Sequence, residues 1–180
     1  MACNSLTLLA RECGKNTKTG LRDDVYLIAY SDLAIISGTT DVYSVSSGGT
    51  ISAINLAASA STKFVKYGAV KDQNSLKSDY TYNDNGSFDI QKQLTFTLAN
   101  VGSIAAKSAV ENLFSNPVAA LIRLKNGTWL AMGLNGQLQL KTIATEVSTS
   151  ANGRVLTLAG SDVEELQIVD PTIINSIVAL

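Results

Sequence analysis

Few side chains in this chain could carry chemistry, and histidine is not among them. Its absence removes the commonest general base near neutral pH, the Ser-His-Asp and Cys-His arrangements, and the commonest transition-metal ligand. The two thiols, Cys3 and Cys13, cannot complete a zinc site alone. A bridge between them is conceivable, but reduced free thiols suit so cysteine-poor a chain better. There is no phosphate-binding glycine loop, and no Gly-x-Gly-x-x-Gly opens a helix.

Carboxylates are the remaining candidates. Asp162, Glu164 and Glu165 follow Gly160-Ser161 and could hold a cation or simply solvate a turn, the commoner use. Asp79, Asp84 and Asp89 bracket a polar stretch with Asn83 and Asn85. The run Asn83-Asp84-Asn85-Gly86 fails as an EF-hand loop: counting from Gly86 puts Thr81 at the first ligand position and Lys92 where a bidentate Glu is required. It reads as a hairpin tip. Tyr80 and Tyr82 share one side of a possible strand, with Lys77 nearby. Aromatic and basic residues together can stack on nucleic acid. Protein interfaces favour tyrosine equally, and the interface reading is preferred here. Trp129 is expected in a core or interface; the alternative is a carbohydrate-stacking platform. No catalytic, metal or cofactor-binding residue is assigned, no cofactor is expected, and the chain reads as non-enzymatic.

The positioning elements are mostly strands. Four Asn-Gly pairs, Asn85-Gly86, Asn126-Gly127, Asn135-Gly136 and Asn152-Gly153, are flanked by apolar or alternating runs. Asn-Gly is the strongest short-range signal for a type I′ hairpin turn. Strands are expected at Val25–Tyr30, Thr50–Leu56 and Lys63–Val70, with a Ser/Thr/Gly-rich loop over 37–50. From Phe88 to Leu98 apolar and polar residues alternate, marking a half-buried strand whose one exception is Lys92, in the apolar register. That lysine is expected to snorkel, or to mark where the strand leaves the core. One helix follows, capped by Ser103 and stopped by Asn116-Pro117, with Ala105, Ala106, Ala109, Val110, Leu113 and Phe114 as its apolar stripe. Further strands cover Val118–Leu124, Thr128–Leu134, Gln137–Val147, Val155–Ala159 and Leu166–Val169. In Gln137–Val147 the apolar parity changes between Leu140 and Ile143, which predicts a β-bulge or bend. The apolar tail after Pro171 is expected to pack on the core or on a neighbour.

At 180 residues, 46% hydrophobic and only 16% charged, the chain reads as one β-rich domain over 1–180, with an extended N-terminal arm (1–22) and an apolar tail (171–180). The low charge, against a usual ~25%, points to self-association. A formal net charge of −1, with scattered basic residues, argues against tight sequence-independent nucleic-acid binding. No signal peptide or membrane-length apolar run is evident, so synthesis in the cytoplasm and no membrane association are expected.

The order of elements now stands out: strands, a polar excursion, a long alternating strand, one helix, hairpins built on LIRLKNGTWLAMGLNGQLQL (Leu121 to Leu140) and a closing strand at RVLTLAG (Arg154 to Gly160). In architecture and texture, over roughly 25–170, this resembles the tail tube proteins of bacteriophages and their relatives in contractile injection machines. The resemblance implies a mainly β fold, a β-sandwich or half-barrel with one flanking helix, and stacked, hexameric homo-oligomeric rings that channel DNA. It also implies location in the virion tail, only transient contact with DNA, and other virion proteins (tape measure, sheath, connector) as partners. Ring-to-ring contact falls to the excursion Asp72–Ser87, with Lys77, Tyr80, Tyr82, Asn83, Asp84, Asn85 and Gly86 as candidate contacts. Ile173, Ile174 and Ile177 of the tail are candidates for further inter-subunit contact. Neighbouring readings are a capsid decoration, tail terminator or baseplate protein, or a carbohydrate- or surface-binding sandwich.

Overall fold

The computed structural model describes residues 20–58, 63–82, 84, 86–99, 101–147, 152–162 and 164–179. Eleven strands are present among them: β1 Leu21–Ala29, β2 Tyr43–Val45, β3 Ile51–Ile54, β4 Val65–Gly68, β5 Ser75–Tyr82, β6 Phe88–Leu98, β7 Val118–Leu124, β8 Trp129–Met132, β9 Gln139–Val147, β10 Asn152–Asp162 and β11 Gln167–Val169. Two helices accompany them, α1 Ile104–Ser115 and α2 Pro171–Ile177. The fold is mainly β with a flanking helix, as the sequence predicts. The N-terminal arm and both cysteines lie largely or wholly outside the described residues.

The strands form a seven-stranded sheet, β2-β3-β11-β8-β7-β1-β4, and a four-stranded sheet, β5-β6-β10-β9. One core lies between them. Val25, Leu27, Val118, Ala120, Ile122 and Met132 from the first sheet meet Leu94, Phe96, Leu156 and Leu158 from the second, with Val110 and Leu113 of α1 closing one side. A second core covers the other face of the seven-stranded sheet, where Ile28, Ala119, Leu121, Trp129 and Phe64 pack with Ile174 and Ile177 of α2. Alternation explains both: successive residues of β7 point to opposite faces, and both faces are covered, so its first five residues are all buried. The sheets also join at their corners, where the Val70 amide donates to Thr97 (2.7 Å) and the Val118 amide to Leu138 (2.9 Å).

The long strand appears as read, over Phe88–Leu98. The predicted bulge sits at Lys141, because Leu140 pairs with Leu158 while Thr142 pairs with Thr157. Other expectations are corrected. The Asn126-Gly127 and Asn135-Gly136 turns are not type I′. Gly127 and Gly136 have positive φ, but Asn126 and Asn135 do not. The asparagine Oδ1 instead accepts the amide of Thr128 (2.9 Å) and Gln137 (3.1 Å), two residues on. Asn135-Gly136 joins no hairpin either, since β8 and β9 belong to different sheets. Asn152-Gly153 lies inside β10, and Asn85 is outside the described residues. Leu134 leaves the face of Met132 and joins the opposite core, because the intervening Gly133 (φ 77°) breaks the alternation. Phe114, placed in the helical stripe, is 66% exposed.

The apolar tail forms a second helix and packs on the chain's own core. Pro171 starts it with its preset φ, and Asp170 caps it by accepting the Thr172 amide at 2.9 Å. Beyond α2, the Ala179 amide donates to Phe64 (3.0 Å) and the Phe64 amide to Ile177 (2.9 Å), which ties the chain's end to the start of β4.

Candidate functional site: the four-stranded sheet

Strand alternation divides this sheet into two faces of opposite character. Leu94, Phe96, Leu156 and Leu158 point inward. The register sets Ser75, Lys77, Asp79 and Thr81 of β5, Asp89, Gln91, Gln93, Thr95 and Thr97 of β6, Val155, Thr157, Ala159 and Ser161 of β10, and Gln139, Thr142, Ala144 and Glu146 of β9 on the outward face. Ser75, Thr95, Thr157 and Thr142 run straight across it as a row of hydroxyls, with the Thr95 and Thr157 oxygens 3.4 Å apart. This face carries Lys77, with exposed Lys141 at the bulge, against the carboxylates of Asp79, Asp89 and Glu146, so it is polar with a slight acidic excess. Lys77 is already held by Asp79 at 2.6 Å.

Both margins of the sheet are long. β5 and β9, eight and nine residues respectively, are its outermost strands. Within the described residues each pairs on one side only, β5 with β6 and β9 with β10. Such a margin presents unpaired N–H and C=O groups that can accept another strand.

The predicted contact residues fall at one end of this sheet. Most of the excursion Asp72–Ser87 is β5, which forms with β6 a hairpin paired from Ser75↔Thr95 to Tyr82↔Phe88, its tip where the sequence placed one. Tyr80 (59% exposed), Tyr82 (79%) and Phe88 (49%) lie on the inward-pointing parity, but near a tip that outruns β10, so they stay in solvent. Lys77 sits on the opposite face from the tyrosines, which dissolves the proposed basic-aromatic set. Asp84 and Gly86 are exposed at the tip; Asn83 lies outside the described residues, like Asn85. Ile174 and Ile177 are only 7% and 4% exposed, and Ile173 packs beside them, so all three serve the chain's own core. Trp129 is 7% exposed, packed against Tyr26 (ring centroids 5.5 Å apart) and under the Arg123 guanidinium (5.4 Å), which removes it as a glycan platform.

No family model, curated protein or solved structure matches the chain.

One polar cluster was not foreseen. Lys92 neither snorkels nor leaves the core: it is 4% exposed and bonds Asp162 at 2.7 Å and the Glu165 carbonyl at 3.2 Å. Gly160 makes room beside it, since a Cβ there would collide with the Gln137 carbonyl. The pair lines a cavity of about 240 Å³ with Tyr43, Glu164 and Gln167. The Tyr43 hydroxyl donates to Glu164 (2.9 Å) and accepts from Gln167 (2.9 Å), and Gln167 also donates to Glu164. Burial, then the neighbouring Glu164, pushes the Tyr43 phenol up to about 12. The acidic cluster Asp162, Glu164 and Glu165 is therefore engaged in fastening the crossover from β10 to β11. Among the described residues, no group of three or more acids or thiols is placed to hold a metal ion. The available signal was Lys92 itself, a charge in an apolar register, which demands a buried partner.

Proposed function

We propose that the chain is a non-enzymatic virion structural protein, a bacteriophage tail tube subunit that closes into stacked rings around a passage for DNA. The observation that carries this reading is the pair of long unfilled margins, β5 and β9, on a single sheet. Each neighbouring pair in the sheet is antiparallel, so β9 runs opposite to β5. Copies related by rotation about an axis to which the strands are inclined would bring β9 of one against β5 of the next, antiparallel and staggered along the strands, and the contact repeats until the circle closes. Closure of this kind satisfies every margin at once.

The wet face supports the same reading. Threonine, glutamine and serine, with a small acidic excess, offer DNA no cationic hold, so a passing duplex would not be retained. The exposed Tyr82 and Phe88 at the hairpin tip suit contact with a stacked ring. Sixfold symmetry comes from the resemblance alone.

Negative-stain microscopy with sedimentation velocity tests the proposal across protein concentration and salt. Rings or tubes growing with concentration are expected. Compact monomers under every condition would end it.

A further inference from the structure

The ring-forming reading leaves open how one margin recognises the other, and the residues along β5 and β9 single out one register. We infer that a second copy of this chain pairs its β9 with β5 so that Glu146 faces Lys77, resting this on the ring-forming reading above.

Four observations converge. The bulge at Lys141 leaves Thr142–Val147 as the regular part of β9, six residues that fit within the eight of β5. With Glu146 opposite Lys77, that segment fits Leu76–Thr81 end to end. On the wet face, the Glu146 carboxylate meets an ammonium whose present partner, Asp79, is itself over half exposed. On the inward parity, Val147 (68% exposed) meets Leu76, and Ile143 meets Tyr80 (59% exposed), a β-branched against an aromatic side chain. Thr145 then faces Ser78, whose Oγ is buried with no hydrogen-bond partner in the single chain.

Other registers fail. A one-residue slip sets the wet face of one strand against the apolar face of the other. A slip of two residues one way opposes Glu146 to Asp79, two carboxylates, and Val147 to Ser78. The opposite slip sets Val147 beyond the end of β5, beside Asn74, and Ile143 against Ser78. Of these alignments, only this one sets Glu146 against Lys77 and both Val147 and Ile143 against apolar or aromatic side chains of β5. The contact is head-to-tail, so a chain with one damaged margin still offers the other.

Cysteine pairs read the register directly. In a Cys3→Ser, Cys13→Ser background, Thr145→Cys with Ser78→Cys should form intermolecular disulfides when assembled protein is oxidised, since residues directly opposite lie within disulfide reach. Thr145→Cys with Tyr80→Cys, or with Leu76→Cys, should not. A charge cycle supplies a second readout. Glu146→Lys and Lys77→Glu should each raise the critical concentration for assembly about fivefold, and the double exchange should restore it. Cross-linking by an offset pair, or single and double charge variants that behave alike, would overturn the register while assembly of the unmodified chain kept the ring-forming reading intact. Failure of the unmodified chain to assemble at all would overturn both.

Discussion

In the seven-stranded sheet the outermost strands, β2 and β4, are three and four residues long, and the segment after α2 bonds to Phe64 at the start of β4. In the four-stranded sheet they are eight and nine residues long and pair on one side only within the described chain. The first sheet is apolar on both faces, and helix α2 with the second core covers what the other sheet does not. The second is apolar on one face and carries hydroxyls, amides and carboxylates on the other. Short margins and double-sided burial make a sheet complete within one molecule. Long margins and a wet face make one that is stable on its inner side and unfinished at its ends. Under the ring-forming proposal, one chain assigns stability and assembly to different sheets.

The sharpest way to break this contrast is to compare truncations. Phe64→Ala, at a fully buried site of the doubly covered sheet, should cost about 3–5 kcal/mol in chemical denaturation. Gln93→Ala, on the wet face, should stay within about 0.5 kcal/mol. Comparable losses at both would mean that the wet face is not a free surface in the single chain.

The next test sits where the two sheets are stitched together. Asp162→Leu leaves Lys92 buried without its carboxylate and should cost about 3 kcal/mol or more. Lys92→Met combined with Asp162→Leu should recover most of that loss, because a buried pair gains little over apolar replacements of similar volume. A double variant as unstable as the single one would show that the pair holds the crossover through something other than mutual charge compensation.

Much of this division was legible in the sequence, and what was missed has a common cause. Phe88–Leu98 alternates throughout but for Lys92, and α1 has both a start and a stop signal, so local pattern defines them. The parity change after Leu140 likewise located the bulge. β5 was only half legible: Tyr80 and Tyr82 marked one side of a possible strand, but Lys77, Asp79 and Thr81 face water and Ser78 gives the other parity no apolar signal. α2 was hidden in an apolar tail, although Asp170-Pro171-Thr172 carries cap and first-turn chemistry that marks a helix start. Which strands share a sheet was not legible at all: β8 and β9 follow one another across a tight turn yet join different sheets, a choice made by core packing rather than by the turn. The crossover cluster escaped for a related reason, since Tyr43, Lys92 and Glu164 are far apart in the chain and meet only once both sheets have formed.

The cap of α2 offers a smaller measurement on the closed side of the comparison. The Thr172 amide, by hydrogen bonding, holds the Asp170 carboxyl below its usual value. Asp170→Ala should lower stability near neutral pH, read as a drop in the denaturation midpoint. A carboxyl lowered on folding stabilises above its unfolded value, and the benefit fades as pH falls through the folded one. Wild type and variant should therefore converge in acid, below the usual carboxylate range. A difference that persists there would assign the cap's effect to packing rather than to the ionised side chain.

The smallest effect expected is the most local to the join. Tyr43 belongs to the doubly covered sheet, while its partners Glu164 and Gln167 lie where the chain crosses back from the four-stranded one. Folding raises this phenol from 10.0 to about 12, so the folded state resists its ionisation. The sign follows from proton linkage: stability tied to the neutral phenol is intact below its unfolded value and is lost as pH rises from there through about 12. Other groups titrate in the same window, so the informative quantity is the difference between wild type and Tyr43→Phe. The variant loses a hydrogen bond and should be slightly less stable near neutrality, by about 1 kcal/mol. With no phenol to ionise, it should also lose less on going alkaline, and the two unfolding curves should approach or cross above pH 10. Parallel curves throughout would mean that the phenol is not enclosed at the crossover, and that the two sheets are joined there by backbone and Lys92 alone.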